Sequence, residues 1–235
     1  MPAGADSHAP RRLLAATFAA LCALVIGVAL LTASADGSNA KLVGKTKHSP
    51  KANCPEECTV LGSVTGFETR TDKKKQPFRI RSNGKLVGWS ARLARPSSKQ
   101  KDNFGQLFQS KKYGRKATGR ISVLKKKDKN HFVLKAQSPV VKLNSYFGNT
   151  QIFTLNKPIQ VKKGWILAFT TMTWSPNLAL ADRAPNSKWR ASRGKKHCGG
   201  NEATKARPHH KLGQTRQYGC SFNDRILYWG YLDAS

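Results

Sequence analysis

Apolar and polar side chains alternate along most of the chain with a period of two, which is typical of β-strands that bury one face. Residues 78–81 follow this pattern, and residues 87–93 place Val, Trp, Ala and Leu on one face. Asn83-Gly84 lies between the two stretches, and Asn-Gly is a strong signal for a tight hairpin turn. The pattern therefore predicts a β-hairpin over residues 78–93.

Further stretches with strand character follow at residues 119–125, 131–136, 151–155, 165–171 and 225–232. The last stretch is apolar on both faces, which predicts a central strand. Pro158 is expected to open one more strand, and Gly164 is expected to turn the chain into the next. Outside the N terminus no stretch has the 3.6-residue apolar period of an amphipathic helix.

The strands are short and number about ten, with turns rich in Lys and Gly between them, which predicts an all-β fold. This many strands in one domain favours a two-sheet β-sandwich, most simply a jelly roll. A closed β-barrel is the alternative arrangement.

The N-terminal 35 residues have the three parts of a secretory signal. Arg11 and Arg12 precede an uncharged run over residues 13–31, and Ala33-Ser34-Ala35 provides a small-x-small cleavage site. We expect residues 1–35 to form a signal helix that is removed on export. The apolar run is long enough to span a membrane, so an uncleaved membrane anchor is the alternative.

The segment after the signal, residues 36–53, is polar and carries several Lys, which is typical of a flexible stalk. No internal repeat or Pro-rich linker follows it. Residues 54–235 are therefore expected to form a single β-sandwich domain.

Four cysteines lie beyond the signal, at Cys54, Cys58, Cys198 and Cys220. An even number in an exported chain predicts two disulfides. Three pairings are open, and we favour Cys54–Cys58 with Cys198–Cys220 because each pair is local in sequence. A zinc site with nearby histidines such as His197 is the alternative, although no second pair matches the C-x3-C spacing. No metal and no other cofactor is expected.

Positive charge dominates the composition: 42 Lys and Arg face 12 Asp and Glu, which gives a formal net charge of +30. A field of this size attracts polyanions. Most of these cations are Lys, a hydrated point charge that suits diffuse attraction better than recognition of one group. Alternatively, the basic runs protect strand edges from pairing with other chains. The candidates for polyanion binding all lie at predicted turns: Lys73, Lys74, Lys75, Lys111, Lys112, Arg115, Lys125, Lys126, Lys127, Lys195 and Lys196.

Two tryptophans are candidates for stacking on a sugar or a base. Trp174 precedes Ser175-Pro176, and Trp189 lies between Lys188 and Arg190, so both are expected in loops. Exposed indole rings stack on such ligands because they combine a large apolar face with a polar edge. Packing of these rings beneath the loops is the alternative.

Three segments carry a resemblance to a known group of proteins. They are residues 153–167, which contain the pattern P-x-x-V-x-x-G from Pro158 to Gly164, residues 187–192, and Tyr218-Gly219-Cys220. With these segments the chain resembles uncharacterised secreted bacterial β-sandwich proteins, and the pattern is also similar to jelly-roll modules that bind carbohydrate. The resemblance implies a fold and an exported location, but no catalytic residue.

No catalytic signature is present, since the chain lacks G-x-S-x-G, H-E-x-x-H, a P-loop and G-x-G-x-x-G. We therefore expect a non-catalytic protein that binds an anionic polymer: a cell-wall phosphate polymer, an acidic glycan or extracellular nucleic acid. A structural or adhesion module of the cell surface is one alternative. An enzyme acting on an acidic polysaccharide is another, although the scattered acids offer no convergent pair of carboxylates.

We expect the exported protein to begin at Asp36, because a peptidase would cut after Ala33-Ser34-Ala35. N-terminal sequencing of the exported protein measures this directly. Recovery of an intact Met1 from the membrane fraction would instead establish the anchor.

Overall fold

The structure is a computed structural model that describes residues 40–199 and 210–234. The predicted signal over residues 1–35 falls outside these residues. Among them, no helix is long and apolar enough to cross a membrane. The protein is mostly β, as predicted, and is built from large antiparallel sheets, one of which is curled.

The strands, in chain order, are β1 (Lys41–Val43), β2 (Leu61–Thr71), β3 (Lys74–Lys75), β4 (Gly84–Arg92), β5 (Thr118–Lys126), β6 (His131–Gln137), β7 (Val141–Lys142), β8 (Thr150–Val161), β9 (Ile166–Ser175), β10 (Leu178–Ala179), β11 (Lys188–Ala191), β12 (Thr215–Gln217), β13 (Cys220–Phe222), β14 (Arg225–Ile226) and β15 (Tyr228–Asp233). One α-helix, α1 (Ser98–Leu107), and two 3-10 turns at Asn144–Tyr146 and Lys195–His197 complete the described elements.

Two sheets contain most of these strands. The four-stranded sheet has the order β1-β15-β4-β8, and the larger sheet follows the path β12-β6-β5-β9-β2-β11-β13. Short β3 pairs with β2, β7 pairs with β5, and β10 pairs with β14 as a separate ribbon. We call the larger one the curled sheet.

The curl follows from the order of the chain. The strands at the two ends of the path, β12 and β13, are consecutive in sequence and are separated only by Tyr218 and Gly219. A sheet whose first and last strands are joined by two residues must bring those edges together at that end. The backbone N–H of Tyr218 also donates to the carbonyl of Asn130, 2.8 Å away at the β5–β6 turn.

Apolar side chains form two main clusters. The larger cluster joins both sheets: Trp89 of the four-stranded sheet contacts Phe169 of the curled sheet with ring centroids 6.0 Å apart. The second cluster lies within the curl and contains Phe67, Leu124, Phe132, Leu134, Ile166, Ala168 and Tyr218. The curled sheet therefore buries apolar residues on both of its faces.

Several sequence-based expectations are confirmed. Strands occupy the stretches predicted at residues 119–125 and 131–136. The central strand predicted over residues 225–232 is confirmed in part: β15 lies between β1 and β4, whereas Arg225–Ile226 form β14 in the separate ribbon. Gly164 makes the expected turn at φ +90°. Both disulfides form with the favoured pairing.

The hairpin predicted over residues 78–93 is wrong. Phe78 and Ile80 are buried, and their backbones pair with Leu167 and Trp165 instead of with β4. β4 itself pairs with β15 and β8. Gly84 does not make a hairpin turn but lets the backbone of Asp233 pack closely against it, because a Cβ there would lie 2.1 Å from the carbonyl oxygen of Asp233.

Pro158 does not open a new strand. It lies inside β8, where the register with β4 shifts between Leu86 and Gly88. β8 is the outer strand of its sheet, a position that tolerates the missing N–H of proline.

Helix α1 was not predicted from the sequence, because its apolar period is weak. A capping box starts it: the Ser97 side chain accepts from the Gln100 backbone, and the Gln100 side chain accepts from the Ser97 backbone. This S-x-x-Q signature is readable in the sequence. Phe104 attaches the helix to Trp174, with ring centroids 5.6 Å apart.

The described part of the expected stalk belongs to the fold. Residues 41–43 form β1 against β15, and Asn53 is fully buried. Arg92 donates to the carbonyls of Ser49 and Pro50 at 2.7 and 2.9 Å. Polar composition concealed this attachment, because backbone pairing of β1, the Arg92 side chain and the single buried apolar side chain of Val43 make it.

We predict that Tyr218→Ala destabilises the protein by about 3–5 kcal/mol, because it removes a large buried ring from the curl. Tyr218→Phe keeps the ring and loses only the hydroxyl contact with His210, so it should cost about 1 kcal/mol. Urea unfolding of both variants measures the difference. Equal stability of Tyr218→Ala and the unaltered protein would show that the ring does not support the curl.

Candidate functional site

A pocket of about 420 Å³ opens at one end of the curled sheet. Its floor is apolar and consists of Phe67 of β2, Phe132 of β6 and Ile166 of β9, each less than 10% exposed. A pocket of this volume is in the usual range for small-molecule sites. We call it the basic pocket because of the residues around its rim.

Six cations line the rim of the basic pocket: Lys75, Arg79, Lys126, Lys129, Lys188 and Arg190. They come from three places. Lys75 and Arg79 belong to β3 and the segment after it, Lys126 and Lys129 to the β5–β6 hairpin, and the remaining two to β11.

Sheet register explains why charge surrounds an apolar floor. Arg190 is paired with Phe67 and Lys126 with Phe132. Arg79 forms an isolated bridge to Ile166. Residues paired across antiparallel strands project from the same face.

The rim cations have no carboxylate partner in the part of the chain that the structure describes. Arg190 donates to the Asn130 side chain, and Arg79 donates to Gln76 Oε1 at 3.3 Å. These neutral contacts orient the two guanidinium groups without neutralising them. Their remaining N–H groups are available to a ligand.

Glu68 is the single acidic residue that lines the basic pocket, and it is fully buried. Its Oε1 accepts from the Ile226 N–H at 2.7 Å, and its Oε2 accepts from the Thr71 hydroxyl at 3.3 Å. Burial raises the pKa of Glu68 to about 8, against the lowering effect of these bonds and of Arg225. At pH 7 the protonated form therefore predominates, and Glu68 offsets little of the rim charge.

Three aromatic rings lie together at and behind the floor, and the cation that acts on this cluster is Arg216 of β12, which is paired with Phe132. The rings of Phe67, Phe132 and Tyr218 meet with centroids 4.8 to 5.3 Å apart. The Tyr218 hydroxyl lies 3.1 Å from His210 Nδ1, and burial lowers the pKa of His210 to about 4. His210 is therefore neutral at physiological pH, and the floor rests on a neutral aromatic cluster.

All eleven basic residues proposed from the sequence are exposed, but the structure gathers only Lys75 and Lys126 into the basic pocket. The other nine do not line the pocket. Four of them adjoin Lys75 or Lys126 in sequence: Lys73, Lys74, Lys125 and Lys127. The remaining five lie on the segment after α1 and on the 3-10 turn: Lys111, Lys112, Arg115, Lys195 and Lys196.

Sequence reasoning missed Arg79, Lys129, Lys188 and Arg190 as site residues. A signal existed for two of them: Lys188 and Arg190 alternate with Trp189 and Ala191, which is the pattern of a strand with one charged face. No sequence signal shows that this face meets Phe67.

The stacking role proposed for two tryptophans is corrected by their burial. Trp174 is fully buried, and its Nε1 donates to the Arg115 carbonyl at 2.9 Å. Trp189 is only 5% exposed and stacks on Phe222 with centroids 4.6 Å apart. Neither ring offers a free face to a ligand, because Trp189 lies in strand β11 and Trp174 packs beneath α1.

The zinc alternative required cysteine thiolates as ligands, but all four cysteines beyond the signal are in disulfides. Over residues 40–199 and 210–234, no group of three or more His, Cys, Asp or Glu side chains could hold a metal ion.

No protein-family model, no curated protein and no solved structure matches this chain.

We predict that Glu68→Gln flattens the pH dependence of stability between about pH 5 and 8. In that interval the unfolded chain has lost a proton that folded Glu68 retains, because the pKa rises from 4.5 to about 8 on folding. The free energy of unfolding therefore falls as pH rises, by about 1.4 kcal/mol for each unit of pKa shift. Urea unfolding at pH 5, 6.5 and 8 measures the slope.

Glu57→Gln provides the control, because Glu57 is exposed. If Glu68→Gln and Glu57→Gln show the same pH profile as the unaltered protein, Glu68 ionises normally in the fold. Its charge would then have to be counted against the rim cations.

Proposed function

We propose that this protein binds anionic polymers without catalysing a reaction on them, and that the basic pocket is the centre of the binding surface. One observation carries the proposal: six cations line one pocket, and the one carboxyl group that lines it with them, that of Glu68, is buried, which raises its pKa. Like charges brought together repel one another, so such an arrangement is stabilised by a bound anion.

The binding mechanism is the release of counterions. A phosphate or sulfate polymer and the rim each hold mobile ions, which are freed when Lys and Arg replace them. A polymer longer than the pocket would also pass over exposed lysines on the same hairpins. Lys73 and Lys74 adjoin Lys75, and Lys125 and Lys127 flank Lys126. Cell-wall phosphate polymers, acidic glycans and extracellular nucleic acid all have this chemistry.

The setting that we propose is outside the reducing cytoplasm. Two disulfides weakly favour an oxidising compartment. The contact of both sheets through one apolar cluster supports a two-sheet sandwich, for which the jelly-roll order remains our hypothesis. The resemblance to secreted bacterial β-sandwich proteins is part of the same proposal, as is export by the N-terminal signal, with attachment to a membrane only if the signal is retained.

A structural or adhesion module is the second candidate. It is favoured by the exposed cations that lie away from the basic pocket, on the loop after α1 and on the 3-10 turn at Lys195–His197. In that case charge would hold the protein to a surface through any of its faces. The two candidates differ in whether binding depends on the pocket.

We predict that replacing Lys75, Lys126 and Lys129 with Gln weakens binding of a fluorescent oligothymidylate and reduces its salt dependence. Each phosphate contact on a single strand contributes a slope of about −0.7 to log affinity against log salt, so three lost contacts should flatten the slope by about 2. All three side chains are exposed, so stability should change little. A binding titration at several salt concentrations measures both effects.

The matched control replaces Lys111, Lys112 and Lys116, which are exposed outside the pocket, with Gln. This triple variant carries the same charge change, and its slope of log affinity against log salt should stay within one unit of that of the unaltered protein. Equal losses in both triple variants would favour the adhesion module. Equal affinity of the unaltered protein for neutral dextran would exclude charge as the driving force.

A further inference from the structure

The basic pocket has a gradient of polarity from its rim to its floor. Lys and Arg side chains lie around the rim, while Phe67, Phe132 and Ile166 close the floor with less than 10% of each residue exposed. A polymer that carried only phosphate or sulfate would satisfy the rim. It would leave the floor uncovered or force a charged group against apolar carbon, which costs free energy.

The depth of the basic pocket is limited by the buried aromatic cluster. Tyr218 is fully buried behind Phe67 and Phe132, and His210 lies behind Tyr218 with 1% exposure. The two-residue link between β12 and β13 carries Tyr218 and joins the edges of the curled sheet beside this cluster. An occupant therefore enters from the rim and ends on the floor, so the pocket accepts a terminal or side group and not a threaded chain.

We propose that the basic pocket binds an amphipathic anion, in which an aromatic or other compact apolar group rests on the floor and an attached phosphate or sulfate contacts the rim. The inference rests on the proposed function, since it assigns the chemical group that the same site takes. Apolar contact with Phe67 and Phe132 removes water from both surfaces, and Arg79 and Arg190 provide planar donor groups that suit a phosphate or sulfate. Nucleotide units and free aryl phosphates share this chemistry.

The test uses the full chain with its disulfides intact and three probes: 1-naphthyl phosphate, inorganic phosphate and 1-naphthol. Calorimetric titration at near-physiological salt should show 1-naphthyl phosphate binding at least tenfold more tightly than either of the others. The reason is that only this probe has both an anion for the rim and a ring for the floor. Affinity for 1-naphthyl phosphate no greater than for inorganic phosphate would overturn the inference.

Neighbouring residues of β5 provide a matched pair of variants. Lys126 lines the basic pocket, whereas Lys125 is exposed and does not line it. Lys126→Gln should weaken 1-naphthyl phosphate at least threefold, and Lys125→Gln, with the same charge change, should leave it within twofold. Equal losses in the two variants would show that net charge and not the pocket holds the probe, and would overturn the assignment.

Ile166→Thr tests the floor, because it removes one methyl group and replaces an apolar branch with a hydroxyl. It should weaken 1-naphthyl phosphate severalfold while leaving the weaker binding of inorganic phosphate unchanged, since inorganic phosphate contacts only the rim. Parallel loss of both ligands by a variant that keeps its circular dichroism spectrum would contradict the assigned orientation.

Competition distinguishes the two sources of the amphipathic anion. If polymer-borne groups enter the pocket, oligothymidylate displaces 1-naphthyl phosphate at lower phosphate concentration than polyphosphate does, because only oligothymidylate carries rings. Equal displacement by both polymers, with 1-naphthyl phosphate still preferred over phosphate, supports a free aryl phosphate as occupant.

The outcomes also separate this inference from the proposed function. Pocket-dependent binding of polyphosphate without any preference for 1-naphthyl phosphate would overturn the amphipathic ligand and leave polyanion binding intact. Absence of binding for every anionic probe would overturn both.

Discussion

The junction between β12 and β13 is the constraint on which the curled sheet and its pocket depend. Tyr218 and Gly219 span the two edges of the sheet, so the ring of Tyr218 is carried into the curl. Gly219 permits close approach, because a Cβ there would lie 2.9 Å from the Lys195 backbone nitrogen. The Cys198–Cys220 disulfide fixes the same corner. Without this junction, Phe67 and Phe132 would lose Tyr218, the ring that both of them contact behind the floor.

Buried polar groups maintain the curl alongside the aromatic cluster. The hydroxyl of Thr170 lies 2.8 Å from that of Thr65 and 2.7 Å from that of Ser122, and all three residues are fully buried. The row joins the adjacent strands β2, β9 and β5. Arg193 donates to the Gly62 carbonyl at 2.9 Å, and burial lowers its pKa to about 10. Some of the basic composition therefore stabilises the fold and is not available to a partner.

The alternation of apolar and polar residues was sufficient to predict the β class and several strands, because these depend on local pattern. The even number of cysteines and their closeness in sequence predicted both disulfides. The alternation gave a wrong prediction at residues 78–80. The Asn-Gly pair suggested a hairpin turn, but these residues are instead buried against β9. The alternation also missed α1, whose start depends on a capping box and whose attachment depends on one ring, Phe104. Neither outcome is set by periodicity.

The sequence predicted that exposed cations would form the candidate site, but it did not predict where on the fold they come together. Lys75 and Lys126 were identified from basic runs, which show exposure and charge without position. The pairings of Arg190 with Phe67 and Lys126 with Phe132 arise from register between strands that are distant in sequence. Periodicity tells which face of a strand is charged, but only the register tells what lies opposite it.

The location of the charge changes the kind of recognition that this composition supports. An abundance of exposed Lys suggests diffuse attraction, which salt screens over a Debye length of about 8 Å. In the basic pocket, however, two of the six cations are arginines held by neutral partners, Asn130 and Gln76, beside an apolar wall. Charges at such a wall are less screened, and a planar guanidinium discriminates by geometry. In the proposed function, the wider surface would speed encounter with an anion and the pocket would determine which anion stays bound, because steering acts on association and close contacts act on dissociation.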